Sequence, residues 1–141
     1  MKLVDANVLL YATDESAPQH AVAKSWLDSA MSGSETVLLP WICLLAFVRL
    51  ATHQAIYDRP LSAAQALDIV EKWQGQPNVM TPEPDLLQPK RMLTLLDATG
   101  AGGNLVNDAY LAALAQQFGA TVVTFDSDFG RFPGIDWATP G

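Results

Sequence analysis

Two hydrophobic periods alternate along the chain. Short runs of aliphatic and β-branched residues at 2–5, 36–39 and 121–125 read as strands, and the last of them is apolar enough to be buried on both faces. Between them lie longer stretches with apolar residues three and four positions apart. Ala23, Trp26, Leu27 and Ala30 give a helix over 19–31 that stops at Ser32-Gly33-Ser34. A helical turn starts after the first strand, over 7–12. Pro40 sits where a first helical turn tolerates proline, and the nearly all-apolar 41–52 predicts a buried helix. Ser62 and Gln65 form a capping-box pattern for a helix running to about Gly75. Val79 and Met80 fit a third strand. Pro82, Pro84 and Pro89 break the start of the next helix, which is expected over 90–98 and closed by the glycine-rich run 100–103. A further helix is expected over 104–118, with Gly119 as its stop, then the fourth strand and a short fifth near 135–137. Strands alternating with helices predict an α/β architecture with a parallel sheet, in one domain over 1–141.

Composition narrows the chemistry. Half of the 141 residues are hydrophobic and 16% are charged, as in a compact domain with a sizeable core. The longest strongly apolar run, 42–48, is far too short to span a membrane, and the opening residues carry no signal-peptide pattern, so a cytoplasmic protein without membrane contact is expected. One cysteine, Cys43, excludes an intramolecular disulfide and a cysteine metal cluster, and its apolar setting marks it as a core residue. The net charge of −7 argues against nucleic acid at first sight. The positions of the acids decide whether that holds.

In open α/β sheets ligands bind beyond the carboxyl ends of the strands, where the strand order reverses. Asp5 ends the first strand and Asp126 follows the fourth, with Asp128 two residues later. Asp108 shares a helix face with Asn104, Leu105, Leu111, Ala112 and Ala115, a face otherwise suited to a core. Taken singly, Asp5, Asp126 and Asp128 also read as helix or turn caps, and Asp108 as half of a buried ion pair with Arg49. Taken together, carboxylates at sheet-edge and core-facing positions repel one another unless a cation lies between them. Carboxylate oxygens without His or Cys favour Mg²⁺ or Mn²⁺ over Zn²⁺, and such an ion supplies what phosphodiester hydrolysis requires. A cation in the pocket also removes the charge objection to a phosphate substrate.

Three segments, LVDANVLLYA, NLVNDAYLAALA and TVVTFDSDFGRFPG, together with the helix LPWICLLAFVRLAT, resemble the PIN-domain ribonucleases of the VapC toxin type, in order and over essentially the whole chain. The resemblance implies a three-layer α/β/α fold with a mainly parallel four- or five-stranded sheet. It also implies Mg²⁺-dependent endoribonuclease activity, with Mn²⁺ as a substitute, in a toxin–antitoxin pair. RNA as substrate, a VapB-type antitoxin and a homodimer are the partners it implies. Carried over by position, Asp5, Asp108 and Asp126 match the metal-binding carboxylates, Asp128 a further catalytic acid, and Asn7 the polar residue that supports the first Asp. One departure stands out. The family's Glu in the third helix, three residues before Arg49, is here Ala46, which leaves the number of ions open and makes Asp128 and Asn104 the candidates to compensate.

Arg49 divides between a structural ion pair and contact with a substrate phosphate. His20 and His53 lie near helix ends and are not expected in catalysis. The glycine run lacks the lysine of a phosphate-binding loop and reads as a helix stop. Trp26, Trp41, Trp73 and Trp137 are expected mostly in the core, with one or two lining a partner groove. Two other functions share the pattern: a catalytically weak RNA-binding or regulatory PIN module, and a receiver-type phospho-switch. The second needs a late strand-end Lys, for which Arg131 is poorly placed.

Overall fold

The computed structural model describes residues 1–100 and 103–141, with Asn104 by its backbone alone. Its sheet has five strands, β1 (Lys2–Val4), β2 (Val37–Leu38), β3 (Val79–Met80), β4 (Thr121–Val123) and β5 (Trp137–Ala138). All neighbours run parallel in the order β3-β2-β1-β4-β5. Lys2 lies opposite both Val37 and Thr121, and Leu3 opposite Leu38 and Val122. Leu3, Val4, Val37, Leu38, Val122 and Val123 are all buried, because helices cover both faces of the central strands.

The helices are α1 (Ala6–Thr13), α2 (His20–Met31), α3 (Trp41–Ala51), α4 (Ala63–Gln74), α5 (Gln88–Thr99) and α6 (Val106–Phe118). From β1 the chain steps outward to β2 and β3, then returns past β1 to β4. Right-handed crossovers therefore put α1 to α4 on one face and α5 and α6 on the other. The helix contacts divide the same way: α1 packs on α2 and α3, α3 on α4, and α5 on α6. Phe47 and Trp73 join α3 to α4 with ring centroids 4.8 Å apart.

The capping box predicted at Ser62 and Gln65 is present. Three expectations need correction. First, α3 is not buried all round. Cys43, Leu44, Phe47 and Ala51 face the core, whereas Trp41 is 42% and Leu45 62% exposed, because α3 has neighbours on one side only. Second, α5 starts at Gln88, since Pro89 falls in the first turn, where no intrahelical N–H bond is lost. The Gln88 side-chain amide also donates to the Tyr110 carbonyl. Third, Gly103–Leu105 is a 3₁₀ turn and α6 begins only at Val106. Gly100, at φ 64°, closes α5 as expected of a stop, while residues 101–102 of the glycine run lie outside the described residues.

Gly119 ends α6 at φ 64°, its N–H bonded to the Ala115 and Gln116 carbonyls, and so turns the chain into β4. A Cβ there would meet nothing within 4 Å, which leaves backbone strain as the sole penalty. Gly119→Ala should therefore lower stability by about 1–2 kcal/mol in urea unfolding.

Candidate metal centre

The strand order reverses between β1 and β4, and the acids gather beyond that point. The Asp5 N–H donates to the Val123 carbonyl at 3.0 Å, which ties the end of β1 to β4. Asp5 is the N-cap of α1, its Oδ1 accepting from Ala6 N–H at 2.7 Å. Asp126 caps the 3₁₀ turn Ser127–Arg131, its Oδ1 accepting from Asp128 N–H at 2.9 Å. Capping thus orients both side chains, and capping and convergence are not alternatives here.

Asp108 comes from the opposite layer. Because α6 starts at Val106, Asp108 stands in its first turn, where the exposed N–H groups and the helix dipole favour a carboxylate. It is half-buried above Leu105, Leu111, Ala112 and Ala115, which are buried. Its carboxylate, that of half-buried Asp126 and that of exposed Asp128 have oxygens within 4.8 Å of one another. Asp5 stands beside this group, close enough to repel Asp108 and to be repelled by Asp126. Among the described residues none of the four acids is in an ion pair, and exposed Arg49 is in none either, so the Arg49 partnership considered for Asp108 is not formed. Ala46 is half-buried in α3, and the side chain of Asn104 lies outside the described residues.

Asn7 braces the site as expected. Its Nδ2 donates to Asp5 Oδ2 at 3.2 Å and to Thr124 Oγ1 at 3.1 Å, and its Oδ1 accepts from Phe125 N–H at 3.1 Å. Thr124 went unnoticed in the sequence. It is fully buried, donates to Asp5 Oδ2 at 2.8 Å, and accepts from Asp126 N–H at 2.9 Å. Its signal was a lone hydroxyl between an apolar strand and Asp126. A cavity of about 450 Å³ lined by Leu10, Thr13, Asp14, Tyr57, Arg59 and Leu61 contains none of the four acids. The acids line no part of that hollow. Their oxygen-only, unpaired donor set fits a hard divalent cation.

The family model of the PIN domain matches residues 2–135. The chain is 45% identical over 140 residues to Ribonuclease VapC37 of Mycobacterium tuberculosis, covering 99% of this chain and 97% of that protein. The chain belongs to the PIN-domain VapC family. Ribonuclease VapC33 of the same organism is 35% identical, with 99% and 98% covered. Among solved structures, VapBC2 from Rickettsia felis, bound to a DNA fragment from its promoter, aligns with a TM-score of 0.72 at 17% identity over 99% of this chain and 98% of that one. VapC20 of Mycobacterium tuberculosis, a sarcin–ricin loop cleaving toxin, aligns with a TM-score of 0.66 at 19% identity over 96% and 99%. These agree with the expected PIN fold and set aside the receiver-type switch.

In this PIN domain burial and neighbouring charge push Asp108 and Asp5 toward the neutral form. Burial, then Asp126, Asp5 and Asp128, raise the Asp108 carboxyl to about 7. Burial also raises Asp5, opposed by the hydrogen bonds from Thr124 and Ala6 and reinforced by Asp126. Cys43 lies in the core nearby, its thiol raised by burial first and then by Asp5 and Asp108.

With a folded-state pKa above its unfolded value, Asp108 makes the folded chain bind more protons than the unfolded one between about pH 4 and pH 7. Its contribution to stability is thus present at low pH and is lost as pH rises through that window. In EDTA, Asp108→Asn should melt close to wild type at pH 5 and above it at pH 8. An Asp108→Asn melting temperature that stands in the same relation to wild type at both pH values would contradict the raised Asp108 carboxyl.

Proposed function

We propose that this PIN domain is a metal-dependent endoribonuclease, the toxin of a VapBC-type pair. The observation that carries the reading is the Asp108, Asp126 and Asp128 group at the strand-order reversal, in a chain so similar to proteins named ribonuclease VapC. These three, together with Asp5 beside them, would hold a Mg²⁺ ion, or Mn²⁺ in its place. Such an ion, when bound, activates water and neutralises charge on a phosphodiester.

The chain's own groups prepare the surface. Asp5 is fixed by its cap and by Asn7 and Thr124, so one acid does not swing as substrate arrives. Asp126 is fixed by its bond to Asp128 N–H, which also sets where the Asp128 carboxylate begins. Asp128 is exposed, in position to meet a water or the outer face of the ion. Arg49, exposed and without an ion pair among the described residues, is available to a substrate phosphate.

A small VapB-type antitoxin suits the same features. An acidic site invites an inserted Arg or Lys, while Trp41, Leu45 and Leu67 leave apolar surface on α3 and α4 for an amphipathic segment. No helix among the described residues is long and apolar enough to cross a membrane, which agrees with the cytoplasmic setting we assign to the pair.

Asn in place of Asp108 or Asp126 keeps the size, removes the charge and turns one acceptor oxygen into an N–H donor. RNA cleavage should fall about a hundredfold or more in each variant. EDTA should abolish wild-type cleavage and Mn²⁺ restore it. Cleavage that persists in EDTA, or full activity in Asp108→Asn, would sink the mechanism. Expressed alone the chain should arrest growth, and co-expression of its VapB-type antitoxin should relieve the arrest.

A further inference from the structure

The Thr124 hydroxyl has one proton to donate and two lone pairs to accept with. Its three neighbours assign all of them. Asp126 N–H is a backbone donor, 2.9 Å from Oγ1. Asn7 presents Nδ2 to Oγ1 at 3.1 Å, and the amide cannot be turned over, because Phe125 N–H already donates to Asn7 Oδ1. The third neighbour, Asp5 Oδ2 at 2.8 Å, is an acceptor. The hydroxyl proton must therefore point at Asp5.

The same count applied to Asp5 gives a sharper result. Oδ2 receives both the Thr124 hydroxyl and Asn7 Nδ2, which occupies its two lone pairs. Oδ1 receives Ala6 N–H alone, which leaves one lone pair open. We propose that Thr124 is a positioning residue of the metal site: its hydroxyl proton closes Asp5 Oδ2, so that Oδ1 is the single oxygen Asp5 presents to a divalent cation. Asp5 is thus a one-oxygen ligand with its plane fixed, and the flexible share of the coordination falls to Asp108, Asp126 and Asp128. Through its bond to Asp126 N–H, the same hydroxyl sets the spacing between β1 and the turn that carries Asp126 and Asp128.

The consequence for cleavage rests on the ribonuclease reading, but the positioning role is tested with Mn²⁺ alone. Calorimetric titration of Mn²⁺ into metal-free protein should show binding weakened about tenfold or more in Thr124→Val, which keeps the shape and removes the hydroxyl, and restored to within about threefold of wild type in Thr124→Ser. Titrations are run below the melting temperature of each variant, so that a merely structural defect, which lowers the melting temperature, leaves the affinity of the folded chain unchanged. In cleavage, Thr124→Val should lower kcat and leave the KM for RNA within about twofold. Wild-type Mn²⁺ affinity in folded Thr124→Val overturns the inference. Should Thr124→Val not fold, NMR of the wild type decides: a slowly exchanging Thr124 hydroxyl proton with contacts to the Asn7 side-chain amide supports the proposal, and its absence overturns it. Wild-type protein that binds Mn²⁺ but cuts no RNA overturns the ribonuclease reading and leaves the positioning role standing; wild-type protein that binds no Mn²⁺ overturns both.

Discussion

Mutual repulsion among carboxylates, gathered where the parallel sheet reverses its strand order, is the constraint on which the rest of the site depends. Asp5, Asp108, Asp126 and Asp128 reach one place from three segments of the chain, and among the described residues no basic side chain pairs with any of them. Partial burial first, and the like charges around it second, favour the neutral acid, and the rise of Asp108 to about 7 expresses that conflict. A folded chain can sustain it only if backbone and packing hold the groups in spite of the electrostatic cost. The same conflict suits the acidic cluster to a divalent cation, since such an ion turns the repulsion into attraction.

The holding is local and cheap in parts. Helix and turn capping aims Asp5 and Asp126, the first turn of α6 presents Asp108 with the favourable end of the helix dipole, and one buried hydroxyl ties the two strand ends together. The caps and the hydroxyl satisfy the backbone N–H groups of Ala6, Asp128 and Asp126. Structure and chemistry therefore use the same bonds, which is why a capping role for these acids does not compete with a metal-binding one.

Acidity and apolar exposure also belong together. A net charge of −7 disfavours contact with phosphate over the surface as a whole. Trp41 and Leu45 on α3 are large apolar side chains left in solvent by a helix whose inner face alone packs on the core. Exposure of that kind is costly in a free monomer and suits a protein that works within a complex.

Much of this was legible in one dimension. The periodicity of 19–31 and 62–75, the apolar strand runs and the Ser62–Gln65 box are local patterns whose outcome depends on neighbours a few residues away, and α2, α4 and the sheet follow them. The acids were legible as well, because a carboxylate at a strand end or on an apolar helix face contradicts its surroundings unless it has a use. The exposed side of α3 was not, since an all-apolar helix reads alike whether one face or both are covered, and only the packing of the layers decides that. Nor was the late start of α6 at Val106, which sets Asp108 in the first turn of the helix. Thr124 is the plainest case. From the sequence alone it is a β-former closing a strand; what makes it the meeting point of Asp5, Asn7 and Asp126 is the pairing of β1 with β4, across more than a hundred residues of chain, and no local pattern encodes a partner so distant.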